Sequence, residues 1–254
     1  MSNSKVVLSL PPAARVQYER NYITTAVCEL KFPTLLEYEE KKPIPLATLL
    51  RKDYPYYQPE RGVNIAPGVV EKDLVKHVFL SRKRDWVVSF NSSALSLETK
   101  DYTRFEAFSG RLKRLIEQTQ EFLDTDFFTR VGLRYINEIP MEKDESSGGW
   151  EGWMHPDLVK PWVDGTYGTV DRFFQEVGGR THAGRYMFRH GVGGATATGG
   201  PIYILDFDFY EQDVAVDDTL RLVTEFNAVN FQFFSWATGP KAISRLGKAT
   251  PKEG

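Results

Sequence analysis

At 254 residues, with 41% hydrophobic and 26% charged residues, the chain can bury a core without disulfides or metals, and its composition excludes the disordered, collagen-like and membrane classes. Its 32 basic against 34 acidic residues give a net charge of −2, which provides no general positive field for phosphates or anionic membranes and disfavours nucleic acid as a partner. Cys28 is the only cysteine, so an intrachain disulfide and a cysteine–histidine zinc site are both excluded.

Residues 1–20 are polar and broken by Pro11 and Pro12, which predicts an N-terminal arm. Met1 to Leu10 lacks the apolar core of a signal peptide, and no apolar run approaches the roughly 18 residues needed to cross a bilayer, so the expected location is cytoplasmic with no membrane partner. Tyr22 to Phe32 reads as a strand that ends at Pro33, with Cys28 as a small buried hydrophobe within it. A helix is expected over Leu46 to Asp53, followed by an aromatic, proline-rich turn from Tyr54 to Pro59. Period-two spacing at Val78/Leu80, Val88/Phe90 and Leu95/Leu97 predicts strands at 76–82, 85–91 and 94–98, the first two joined as a hairpin at Lys83-Arg84-Asp85.

The clearest helix runs from Thr103 to Leu123, where Phe105, Phe108, Leu112, Leu115, Ile116, Thr119 and Phe122 recur at spacings of three and four. Asp101 or Thr103 is the expected cap, with Glu106 completing a capping box from Thr103. Thr129 to Ile139 is a strand, and the acidic, glycine-rich segment 142–153 is the expected mobile loop between a first half at 21–141 and a second at 154–247. The second half reads as a short helical turn from His155 to Trp162, strands at 170–177, 182–190 and 201–210, a glycine-rich link from Gly191 to Gly200, and a helix from Asp217 to Ala237 stopped by Gly239-Pro240. A polar tail closes the chain at 248–254. The expected fold is α+β, a mainly antiparallel sheet with two long amphipathic helices packed on one face. The similar order of elements raises two pseudo-equivalent halves as a further expectation.

Four segments, Glu29-Leu-Lys-Phe-Pro33, Leu95 to Tyr102, Arg130-Val-Gly-Leu-Arg-Tyr-Ile-Asn137 and Leu205-Asp-Phe-Asp-Phe-Tyr210, carry a resemblance that covers most of the chain. They resemble a sporadically distributed, functionally uncharacterised family of bacterial proteins. The resemblance implies a cytosolic bacterial protein of patchy occurrence, as expected of a defence or toxin–antitoxin locus. It implies no activity and no site residues.

Two constellations stand out chemically. Arg130 and Arg134 leave one strand by a common face, as do Asp206 and Asp208 on another. On neighbouring strands they would form a cross-sheet ion-pair network, or else an anion or metal site of a ligand sensor or metal-dependent phosphoester or RNA-processing enzyme, with Glu98 or Glu138 as a third carboxylate. The second constellation is aromatic: Trp150 and Trp153 on a glycine-rich loop, and Tyr54, Tyr56 and Tyr57 after the first helix, are read as protein-partner contacts or as lids over the chain's own core.

The four histidines, His77, His155, His182 and His190, have no metal-helix spacing, and the loop after His190 lacks the lysine of a phosphate-binding loop. A two-halved RNA endonuclease of the CRISPR repeat-processing kind also combines a histidine with a late glycine-rich loop, but the acidic balance argues against it. The basic stretches Lys76 to Arg84 and Arg111 to Arg114 read as solvated faces. No catalytic residue, metal ligand or cofactor is assigned, the oligomeric state stays open, and the leading expectation is a non-enzymatic component that binds a protein partner.

Overall fold

The computed structural model describes residues 8–61, 65–66, 69–70, 75–141, 149–163 and 172–247. In chain order the strands are β1 (Ile23–Lys31), β2 (Tyr56–Arg61), β3 (Ile65–Ala66), β4 (Val69–Val70), β5 (Val75–Leu80), β6 (Trp86–Asn91), β7 (Ala94–Thr99), β8 (Phe127–Pro140), β9 (Phe173–Arg180), β10 (Arg185–Ala195) and β11 (Pro201–Ala215). The helices are α1 (Ile44–Leu50), α2 (Phe105–Leu123), α3 (Pro156–Val163), α4 (Thr219–Ala237) and α5 (Pro240–Leu246). Nine strands form one antiparallel sheet in the order β2-β5-β6-β7-β1-β8-β11-β10-β9, and β3 and β4 pair separately. The fold is α+β. No helix among the described residues is long and apolar enough to cross a membrane.

Both halves of the chain follow one plan. An opening strand (β1 or β8) leads to a short helix (α1 or α3), then to a meander whose last strand (β7 or β11) returns beside the opening one, and then to a helix of 19 residues. The compact units do not follow that plan. Thr25–Arg134 with Tyr210–Thr224 forms one, and Met1–Thr24, Tyr135–Phe209 and Glu225–Gly254 form the other. The residues of β1, β8, β11 and α4 are divided between the two.

In the first unit, α2 buries Phe105, Phe108, Leu112, Leu115, Ile116 and Thr119 of the expected apolar stripe, with Leu123 buried in place of the half-buried Phe122. Phe108 meets Trp86 and Phe122 meets Phe90, so α2 covers the face of β6 that bears those rings. Phe90 lies opposite Leu95, and Leu95 opposite Leu30, which carries the covered face across to β1. Glu29, one residue away from Leu30, projects from the other face. The expected capping box does not form: the N-cap residue is Arg104, without a side-chain cap, and Thr99 Oγ1 takes the Asp101 amide instead. Cys28 is fully buried, and burial first, then the Glu29 charge, pushes its thiol well above the ordinary range.

In the second unit, Phe233 of α4 packs on Phe188 of β10 and Phe207 of β11, and Phe226 stacks on Phe209. The Tyr135 hydroxyl donates to Asn227 Oδ1 at 3.1 Å, which satisfies a phenol buried under the helix. Gly239-Pro240 ends α4 as expected, and Pro240 then opens α5, where its missing N–H costs nothing.

Candidate protein-binding surface

The two aromatic segments singled out in the sequence have opposite fates. Gly149 to Met154 folds into a turn in which the Trp153 amide donates to the Trp150 carbonyl, and the Gly239 amide donates to the Trp153 carbonyl. Lys241 of α5 adds a hydrogen bond from Nζ to the Glu151 carbonyl. A Cβ at Gly239 would collide with the Gly152 carbonyl, so the turn can approach α5 only because that residue is glycine. Trp150 packs edge-on against Tyr203, and the Arg245 guanidinium lies 4.6 Å over the Trp153 ring. The tryptophans are 8% and 3% exposed, which corrects the expectation of an exposed aromatic loop. They are part of the core. Residues 142–148 of the expected loop lie outside the described residues.

The tyrosine segment behaves otherwise. It was expected to form a turn, yet Tyr56 to Arg61 is the edge strand β2, where Pro59 is tolerated because an edge does not need every N–H. Tyr56 and Tyr57 stay 45% and 42% exposed, whereas Tyr54, just ahead of the strand, is buried. The hairpin between β5 and β6 turns through Arg84 at a left-handed φ of 58° and brings its guanidinium to 5.0 Å over the Tyr56 ring. From α2, Arg111 lies 4.6 Å over Trp86 and 5.8 Å over Tyr54. Burial raises the Tyr54 pKa, and a hydrogen bond with Arg111 opposes that shift. Asp85 beside them is held below the ordinary carboxylate range: burial opposes the shift, but hydrogen bonds from Ser81 and its own amide, with Arg111 and Lys83 nearby, outweigh it.

Arg111 and Arg114 make no ion pair with a described residue. With Asp53, Tyr54, Leu115 and Gln118 they line a pocket of about 10 Å³, and Gln118 Nε2 donates to Asp53 Oδ2 at 3.2 Å. Arginine, tyrosine and tryptophan are the residues that carry most binding energy at protein interfaces. Sequence reading assigned these arginines to solvated faces. Their convergence depends on β2, β5 and β6 being neighbours, and no local pattern states that.

Two members of the arginine–aspartate constellation, Arg130 and Asp206, have partners from outside it. Arg130 Nη1 donates to Glu29 Oε1 at 3.0 Å, and its guanidinium lies 4.7 Å over the Tyr210 ring. Asp206, buried, pairs with Arg189 at 3.5 Å, and Arg189 Nε donates to Glu176 at 2.6 Å. Phe188 and Phe207 face α4, so Arg189 and Asp206 project from the opposite face by the alternation of a strand. Arg134 and Asp208 lie on β8 and β11, which are neighbours in the sheet. Glu29, Arg189 and Tyr210 are the partners that spacing within single strands did not reveal. Among the described residues, no group of three or more histidine, cysteine, aspartate or glutamate side chains is placed to hold a metal ion.

Two histidines are buried against tyrosines. His190 Nδ1 and the Tyr203 hydroxyl share a 2.8 Å hydrogen bond, and burial lowers the His190 pKa to about 4 while raising that of Tyr203. His77 Nδ1 and the Tyr57 hydroxyl share one at 2.9 Å, and burial, helped by Lys42, lowers the His77 pKa. No family model matches the chain, and no curated protein matches it.

Proposed function

We propose that this chain is a non-enzymatic protein-binding component that engages its partner through the Tyr56, Arg84, Arg111 and Arg114 surface. The observation that carries this reading is the pair of arginines held over aromatic rings: Arg84 over half-exposed Tyr56, and Arg111 over Trp86 and Tyr54. Ring stacking fixes a long side chain before the partner arrives, so less rotamer entropy is lost on binding. The resemblance to a patchily distributed bacterial family supports a defence or toxin–antitoxin module as the setting.

Affinity capture in the natural host tests this reading when wild type is compared with the double variant Y56A/R84A. A partner held in stoichiometric amount by wild type and lost by the variant, with the melting temperature of the variant unchanged, is the expected result. Equal recovery by both proteins contradicts it.

A further inference from the structure

The pocket beside Arg111 narrows the chemistry of that partner, and the inference rests on the protein-binding reading. Its lining carries two cationic groups, Arg111 and Arg114, against one carboxylate, Asp53. Asp53 is engaged by Gln118 and comes within ion-pair distance of neither arginine. Asp85, the other acid near Arg111, is engaged by Ser81. The lining therefore carries one more positive than negative charge, at a concave point where one guanidinium is already fixed by Trp86 and Tyr54. The planar fork of an arginine matches a carboxylate, which a protein partner carries on its glutamate and aspartate side chains.

We propose that this pocket receives a glutamate or aspartate side chain from an acidic segment of the protein partner. Isothermal titration of the full chain with hexaglutamate, and with hexaglutamine as the uncharged control, tests this at low ionic strength. Hexaglutamate is expected to bind roughly tenfold or more tightly than hexaglutamine, the difference that one charge-assisted contact supports. Arg111→Lys keeps the charge but loses the stack and the fork, so it should remove most of that preference. Arg114→Gln should weaken it as well, and Lys83→Gln in the neighbouring turn, an equal change of charge, should leave it nearly intact.

Equal or absent binding of the two peptides, an equal loss in Lys83→Gln, or displacement of hexaglutamate by an equimolar amount of inorganic phosphate overturns the proposal. If the peptides fail while Y56A/R84A still loses the natural partner, the binding surface stands and only its acidic ligand is removed.

Discussion

Residues 54–57 and 150–153 look alike on paper: short aromatic stretches beside proline or glycine. They differ in what the rest of the chain brings to them. The tryptophan turn receives Tyr203 on one ring and Arg245 on the other, and α5 closes over its backbone. The tyrosine segment receives Arg84 and Arg111, but β2 is the edge of the sheet and no further strand among the described residues pairs with it. An arginine over a ring thus serves two ends. Over a buried tryptophan it is part of the packing, and over a half-exposed tyrosine it leaves a rigid, charged surface for something else to meet.

That contrast breaks most visibly at Trp153. Trp153→Ala should cost about 3–5 kcal/mol of stability, the usual range for a buried tryptophan, whereas Tyr56→Ala should stay within about 0.5 kcal/mol of wild type. Urea denaturation of both variants checks it, and comparable losses would erase the distinction between the two segments. The buried His190–Tyr203 pair beside Trp150 sharpens it next. His190 has its pKa lowered from 6.5 to about 4, so between those values the unfolded chain binds a proton that the native state refuses. Its contribution to stability is complete above about pH 6.5 and is lost as the pH falls towards 4, by up to about 3 kcal/mol. Carboxylates titrate in part of the same range, so His190→Gln is the control: urea midpoints at pH 7 and 4.5 should differ less in the variant than in wild type.

The smallest effect expected is at Asn230 on α4, whose buried Oδ1 has no hydrogen-bond partner. Asn230→Leu removes an unsatisfied acceptor from a buried site and should raise stability by about 1 kcal/mol, read as a higher urea midpoint. A lower midpoint would mean that the amide is held by a bond the fold depends on.

Much of the fold was legible because its signals are local. The stripe from Phe105 to Leu123 follows the helical period, and alternation along Val88/Phe90 and Leu95/Leu97 follows the period of a strand. Tyr56 to Pro59, within the expected turn from Tyr54 to Pro59, belongs to a strand instead, because proline breaks a strand everywhere except at an edge, and edges are defined by topology. The link from Gly191 to Gly200 was misread for a related reason: β10 runs on through Ala195, since glycine weakens a strand without forbidding it. Of the candidate surface, the tyrosines were visible as a cluster. The arginines were not, because Arg84 and Arg111 reach Tyr56 and Tyr54 across 28 and 57 residues of chain, as the numbering gives.

The central claim is that the partner meets the edge at β2 and leaves the tryptophan turn untouched. A photo-crosslinking residue placed at Tyr56, and separately at Gly149 beside Trp150, compares the two in the natural host. The account predicts one partner adduct from position 56 and none from position 149. An adduct from position 149 alone would contradict it.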